Sequence, residues 1–230
     1  QAMALGIERA RLHGNAIVAL GNTHHLGRIG AWAEHVAQAG LVSLHFVNVI
    51  ARPIVAPFGG GDGRFGTNPF CVGIPFTNQP PMVLDFATSV IAQGKTRVAH
   101  NKGEPLPPGC LIDDRGQPTT DPRFGVMPPW GALLAFGEHK GYGLALACEL
   151  LGGALAAGAT QRTPDTGRQR VMNGMLSVLI DPAALGDRTA FEHEAQAFLD
   201  WVRASPPREG FDGVQVAGDA ERRCREQRLR

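Results

Sequence analysis

Ala16-Ile17-Val18-Ala19-Leu20-Gly21-Asn22-Thr23-His24-His25-Leu26-Gly27 is the stretch on which the reading of this chain turns. Five apolar residues at 16–20 read as a buried strand. From about Leu26 onward, Ile29, Trp32, Ala33, Val36 and Ala37 fall on one face of a helix. A polar turn that leaves a strand and enters a helix lies at the carboxyl edge of a sheet, where open α/β folds place their ligands. The helix start offers free backbone N–H groups and a partial positive charge to an anion. Histidine is the residue type best suited to carry a proton beside such a ligand, so His24 and His25 are candidate functional residues. The competing reading has one histidine capping the helix and the other packed inside.

The same alternation continues on both sides. Upstream, Met3, Leu5, Ile7 and Ala10 form a helical stripe that closes at Gly14, with no capping residue in front of it. The sequence is therefore expected to begin inside a helix, with a segment missing before it. Downstream, the helix closes at Gly40 and an apolar strand runs from Leu41 to Val49. Helix, strand, helix, strand with short connections predicts parallel α/β units.

The composition is that of one large globular domain or two small ones: 43% of the 230 residues are hydrophobic and 19% charged. A formal net charge of +1 gives no bulk attraction to nucleic acid or to an acidic membrane. Cys71, Cys110, Cys148 and Cys224 are far apart and show no paired metal-ligand spacing, so they read as reduced thiols of a cytoplasmic protein. His24, His25 and His35 make a poor metal set, because adjacent histidines rarely ligate one ion. The longest apolar helix, Leu144 to Ala157, is broken by Glu149 and Gly152-Gly153 and does not span a bilayer.

Residues 51–68 form a loop rich in glycine and proline. Within it, Gly61-Asp62-Gly63-Arg64-Phe65-Gly66 has the G-x-G-x-x-G spacing of dinucleotide-binding turns. It is not read as one, because it leads into the strand-like Phe70-Cys71-Val72-Gly73-Ile74 rather than a helix. Asn68, held extended by Pro69, is expected to offer its amide to a ligand. Pro81 to Leu84 reads as a strand ending at Asp85, with Thr88 or Ser89 capping a helix from Val90 to His100. That helix carries Val90, Ile91, Gly94 and Val98 as its apolar stripe and turns Lys95 and Arg97 outward. Asp85 either caps that helix or accepts from ribose hydroxyls.

Residues 101–136 are a long turn-rich connection, with turns at Asp113-Asp114-Arg115-Gly116 and at Pro118 to Pro122. Lys140 then stands among glycines ahead of the apolar helix, either as a rim lysine or as a charge for a phosphate or carboxylate. A strand at 175–180 follows, then an amphipathic helix from Phe191 to Ala204 with Phe191, Ala195, Phe198, Leu199 and Val202 inward. A short strand at 214–216 and a charged helix from Glu221 to Arg230 close the chain.

Asn22 to Gly27, Ala56 to Gly60, Gly66 to Pro69, Leu84 to Ser89, Gly94-Lys95, Pro118 to Pro122 and His139 to Gly143 occur here in one order. In this the chain resembles the type 2 malate/L-lactate dehydrogenase family, which includes ureidoglycolate, L-sulfolactate and 2,3-diketogulonate enzymes and a piperideine-carboxylate reductase. The resemblance implies an α/β fold with a mixed sheet and flanking helices, binding NAD or NADP without a Rossmann unit, in the manner of L-sulfolactate dehydrogenase. It implies a homodimer that interconverts a small 2-oxo acid and its 2-hydroxy acid.

The cofactor would lie against Asp85, Phe86, Ala87, Thr88 and Ser89, against His139, Lys140 and Gly141, and near Gly218 and Asp219. His25 matches a proton-carrying position of the ureidoglycolate branch, and Lys140 and Asn68, with Thr67, complete the expected catalytic set. The expected domain is a single one over 1–230, with 206–230 as a strand and helix packing back on it. Family members carry an upstream Ser-His-Gly motif that this chain lacks, which leaves a second reading open: a remnant that binds cofactor or dimerises without turnover.

Overall fold

The computed structural model describes residues 1–162 and 171–229. In chain order the first elements are α1 (Ala2–His13), β1 (Asn15–His24), α2 (Gly30–Gln38), β2 (Val42–Ile50), β3 (Phe70–Ile74), β4 (Met82–Phe86) and α3 (Gln93–Lys102). A small lobe follows with β5 (Leu111–Ile112), β6 (Pro118–Thr119), α4 (Arg123–Val126) and β7 (Ala132–Leu133). Next come α5 (His139–Cys148), a π-helix (Glu149–Leu155), β8 (Met172–Ile180), a 3-10 turn (Pro182–Ala184), α6 (Arg188–Arg203) and α7 (Asp219–Leu229). Among the described residues, no helix is long and apolar enough to cross a membrane.

The main sheet has the order β1-β8-β2-β3-β4, and every ladder in it is antiparallel. The expected α/β architecture is present, but not the parallel pairing. β1 and β2 run in the same direction, yet β8, from more than 120 residues later, lies between them and pairs with both. α1 and α2 cover one face, where Met3, Ile7, Ala10, Ala33 and Val36 pack on Val47, Cys71, Val83, Met175 and Leu179. A second cluster built on Val55, Phe65, Leu111, Phe124, Leu133 and Ala145 joins the three-stranded sheet β6-β5-β7 to α5.

Several element boundaries move for identifiable reasons. α1 stops at Gly14, whose φ of 81° is the left-handed conformation glycine adopts cheaply. β1 continues through a register shift between Leu20 and Thr23 and ends at His24, so α2 begins at Gly30 rather than near Leu26. α3 begins three residues later than expected: Val90 N–H goes to Leu134 carbonyl, Val98 is 54% exposed, and Thr96 is the residue that turns inward. Thr88 and Ser89 do not cap it, since their hydroxyls donate to Thr67 and Asn68 carbonyls and to the Ile91 carbonyl.

The apolar helix starts at His139 and widens into a π-helix at Glu149, where Gly152 passes over the Phe46 and Asn48 backbone too closely for a Cβ. α6 buries no residue fully, and Phe198, expected inward, is 57% exposed. Residues 214–216 form no strand; the Val83 N–H reaches only the Ala217 carbonyl beside them. The charged helix is α7, and of the residues expected in it Arg230 lies outside the described ones. G-x-G-x-x-G does precede a strand, and a Cβ on Gly66 would collide with the Val49 carbonyl, so that glycine serves backbone contact.

Candidate active site

Antiparallel alternation puts the carboxyl ends of β1, β2 and β4 at one end of the sheet. His24 and Ile50 both pair with Met172, so the ends of β1 and β2 flank one residue of β8, about 10 Å apart at one strand spacing each side. β4 lies at the opposite edge, about 19 Å from β1 across four spacings. The loop from His25 to Ile29 crosses this end, because the N-terminus of α2 rests against β4.

His25 is exposed, and its Nδ1 accepts from the Gly27 N–H at 2.9 Å. A neutral ring held this way carries its proton on Nε2, facing outward. Asn173 fixes the turn from both sides: its Oδ1 accepts from the Leu26 N–H at 2.9 Å, and its carbonyl accepts from the Thr23 hydroxyl at 3.0 Å. Neither histidine is buried and neither caps α2, so the capping-and-packing alternative fails. The start of α2 is also not free for a ligand anion. Asp85 Oδ2 takes the Gly30 N–H at 2.7 Å, so the helix is capped by a carboxylate of the chain itself, from a strand 55 residues later.

Asp85 opens into a crevice of about 100 Å³ lined by Arg28, Glu34, Gln38, Val83, Gly218, Glu221, Arg222 and Arg225. Burial raises the Asp85 carboxyl above the ordinary carboxylate range, against the lowering effect of the Gly30 N–H and of Arg28. Glu34 shows the opposite balance: burial pushes it up, but Arg28 at 2.8 Å and Arg225 at 3.1 Å together hold it below its ordinary value. Gly218, with φ of 93°, lies against the Val83 backbone. Asp219 is committed locally, to the Val216 N–H and to Arg222. His25 and Lys140 do not line this crevice.

The remaining expected residues divide in two. Phe86 packs edge-on against Phe136 at 5.4 Å, and the Phe136 N–H donates to the Thr88 carbonyl, which brings the Phe86–Ser89 strip beside the His139-Lys140-Gly141 turn. Lys140 is exposed there, and His139 stacks edge-on with Phe58 at 6.0 Å. Gly141 is needed for packing, since a Cβ would strike the Phe136 carbonyl. The N–H groups of Lys140, Gly141 and Tyr142 already bond to Gly137, Phe136 and Glu138 carbonyls.

Asn68 departs from expectation. Its φ is 31° rather than extended, it is fully buried, and its amide is used internally: Oδ1 by the Val49 N–H, Nδ2 by the Ala145 carbonyl and by Glu149 at 2.7 Å. It holds the π-helix to β2, with both the oxygen and the nitrogen of its amide engaged inside the fold.

Sequence reading missed Asn173, Arg28 and, in α7, Arg222 and Arg225. Arg28 stands immediately after Gly27 and had a local signal; Asn173 and Arg222 had none, because their partners are 147 and 141 residues away in sequence.

The family profile described as malate/L-lactate dehydrogenase matches residues 1–230. Hydroxycarboxylate dehydrogenase B of Escherichia coli K12 is 55% identical over 208 residues, covering 90% of this chain and 57% of that protein. L-lactate dehydrogenase of Cupriavidus necator is 47% identical over 224 residues, covering 95% and 63%. The solved structure of sulfolactate dehydrogenase from Methanocaldococcus jannaschii superposes with a TM-score of 0.86 at 33% identity, covering 99% of this chain and 64% of that one. The chain thus spans about three fifths of the length of the proteins it matches.

Proposed function

The chain belongs to the malate/L-lactate dehydrogenase family, and from that premise we propose that it forms most of a nicotinamide-dependent oxidoreductase acting on a small 2-hydroxy acid or its 2-oxo acid. The observation that carries this reading is the match along all 230 residues, supported by a sheet end at which His25, the Phe86–Ser89 strip and Lys140 are all presented. NAD or NADP, when bound, supplies or accepts the hydride at C2 of the substrate.

The residues present suit parts of such a cofactor. The crevice beside Asp85 is smaller than the roughly 300 Å³ at which whole ligand pockets begin, so it takes a fragment of a dinucleotide. Its lining matches that fragment: Asp85 has a second carboxylate oxygen for ribose hydroxyls, and the arginines suit phosphate. Lys140, with His139, sets a positive charge beside Phe86 and Thr88, which form a wall for the cofactor.

His25 works on the substrate oxygen. With the ring neutral, its outward Nε2–H donates to the oxygen on which charge develops as hydride arrives. For the ring to supply the proton outright it must first be protonated on Nδ1, which breaks the Gly27 hydrogen bond. We place the protein in the cytoplasm, in keeping with four free cysteines, three of them buried. A homodimer is part of the same reading, since Ile17 at 71% exposure and Trp201 at 72% leave apolar surface that a second copy can cover.

The test is NADH and NADPH oxidation across a panel of 2-oxo acids, with and without His25→Phe. Turnover on at least one substrate is expected, falling by about a hundredfold to ten-thousandfold in the variant. Cofactor binding with no turnover on any 2-oxo acid overturns the reading in favour of a non-catalytic remnant.

A further inference from the structure

Arg52 is the exception among the half-buried arginines of the described residues. Four arginines are half-buried among the described residues, and three of them, Arg188, Arg203 and Arg222, pair with carboxylates. Arg52 has no carboxylate partner among the described residues. Its guanidinium lies over the Trp130 ring at 3.7 Å, and one Nη2–H donates to the Gly125 carbonyl at 3.1 Å. Stacking fixes the plane of the fork and the carbonyl fixes its rotation, which leaves Nε and Nη1 as oriented donors. Partial burial disfavours its charge, as expected of a cation stripped of some water and given no counter-ion.

Its place in the fold adds the second half of the argument. Arg52 follows Ile50 by two residues and His25 follows His24 by one, and Ile50 and His24 face each other across Met172. The backbone of Ala51 is pinned by Gln161, which accepts the Ala51 N–H and donates to its carbonyl, so the residue that carries the fork leaves β2 on a fixed course. A planar cation with donors unpaired among the described residues therefore stands at the same sheet end as the candidate acid/base.

We propose that Arg52 is a binding site for the carboxylate of the 2-oxo or 2-hydroxy acid, holding the substrate by a charge-assisted pair of N–H···O bonds while its C2 oxygen faces His25. The assignment of that carboxylate to a substrate rests on the dehydrogenase reading above; the anion site itself does not. Gln93 shares the Gly125 carbonyl with Arg52 and has a buried Oε1 with no partner among the described residues, so this corner is polar and incompletely satisfied.

The test uses oxalate, a planar dicarboxylate with no reducible carbonyl, titrated by calorimetry into the wild type, Arg52→Gln, Arg52→Lys and Trp130→Leu. Oxalate binding is expected in the wild type, weakened about tenfold or more in Arg52→Gln and less in Arg52→Lys, which keeps a charge without the fork. Trp130→Leu leaves the charge and loosens its plane, so a few-fold loss is expected. In turnover assays Arg52→Gln raises KM for 2-oxo acids by about the same tenfold while NADH affinity stays unchanged.

If Arg52→Gln is poorly folded by circular dichroism, Arg52→Lys and Trp130→Leu carry the test. Equal oxalate affinity in wild type and folded variants, or no oxalate binding in the wild type, overturns the site. Arg52-dependent oxalate binding without reduction of any 2-oxo acid keeps the site and sinks the dehydrogenase reading. Turnover with an unchanged KM in the Arg52 variants does the reverse.

Discussion

The middle of the sheet and its carboxyl end hold similar polar side chains under opposite conditions. In the middle, His45 is fully buried and bridges two strands, with Nδ1 at 2.8 Å from the Ser177 hydroxyl and Nε2 at 3.0 Å from that of Ser43. At the end, His25 has one ring nitrogen on Gly27 and the other in solvent. The same contrast separates the amide of Asn68, used at both ends, from the guanidinium of Arg52, which keeps unpaired donors among the described residues. A polar group whose hydrogen bonds are all internal is a fastening; one held firmly with a donor to spare is available for chemistry.

That contrast can be broken most severely at Asn68. Asn68→Leu leaves the buried Glu149 carboxylate and the Val49 N–H short of partners, and a loss of about 3–5 kcal/mol is expected in urea unfolding. A variant that stays stable but loses turnover would instead return Asn68 to the catalytic set.

The next largest effect belongs to His45. Burial depresses it from 6.5 to about 4 in the folded state, so between these values the unfolded chain binds a proton that the folded one refuses. Its contribution is complete above about pH 6.5 and is lost as pH falls toward 4, by about 3 kcal/mol over the window. Melting curves from pH 7 to pH 4.5 should show that decline, and His45→Gln should flatten it; a slope of equal size in the variant would assign it elsewhere.

The smallest effect sharpens the boundary between the two regions, because Asp85 belongs to both. One carboxylate oxygen caps α2 and the other is available to the crevice. Asp85→Ala is expected to lose about 1 kcal/mol with the cap, whereas Asp85→Asn keeps an oxygen acceptor and loses little. Because the folded carboxyl is raised, its ionisation costs stability as pH climbs from the ordinary carboxylate value through the raised one, and thermal melts of Asp85→Asn should lack that fall. Loss of NADH affinity in Asp85→Asn with stability intact would tie the second oxygen to the cofactor.

Much of this could be read from local pattern. The stop at Gly14, the helix face built on Ile29, Ala33, Val36 and Ala37, the turn at Asp113, the rejection of the glycine-rich loop and the family itself all rest on residues close together in the chain. Periodicity records which face of an element is apolar, and turn chemistry records where it must stop.

Partner choice is not written at that range. β8 between β1 and β2, Asp85 capping α2 instead of α3, and Asn68 sealed against Glu149 each join residues 55 or more apart in sequence. A carboxylate at a strand end announces that it needs N–H donors, and an amide before a proline that it needs partners. Which backbone answers depends on how distant strands register, because that pairing is set by packing across the whole sheet.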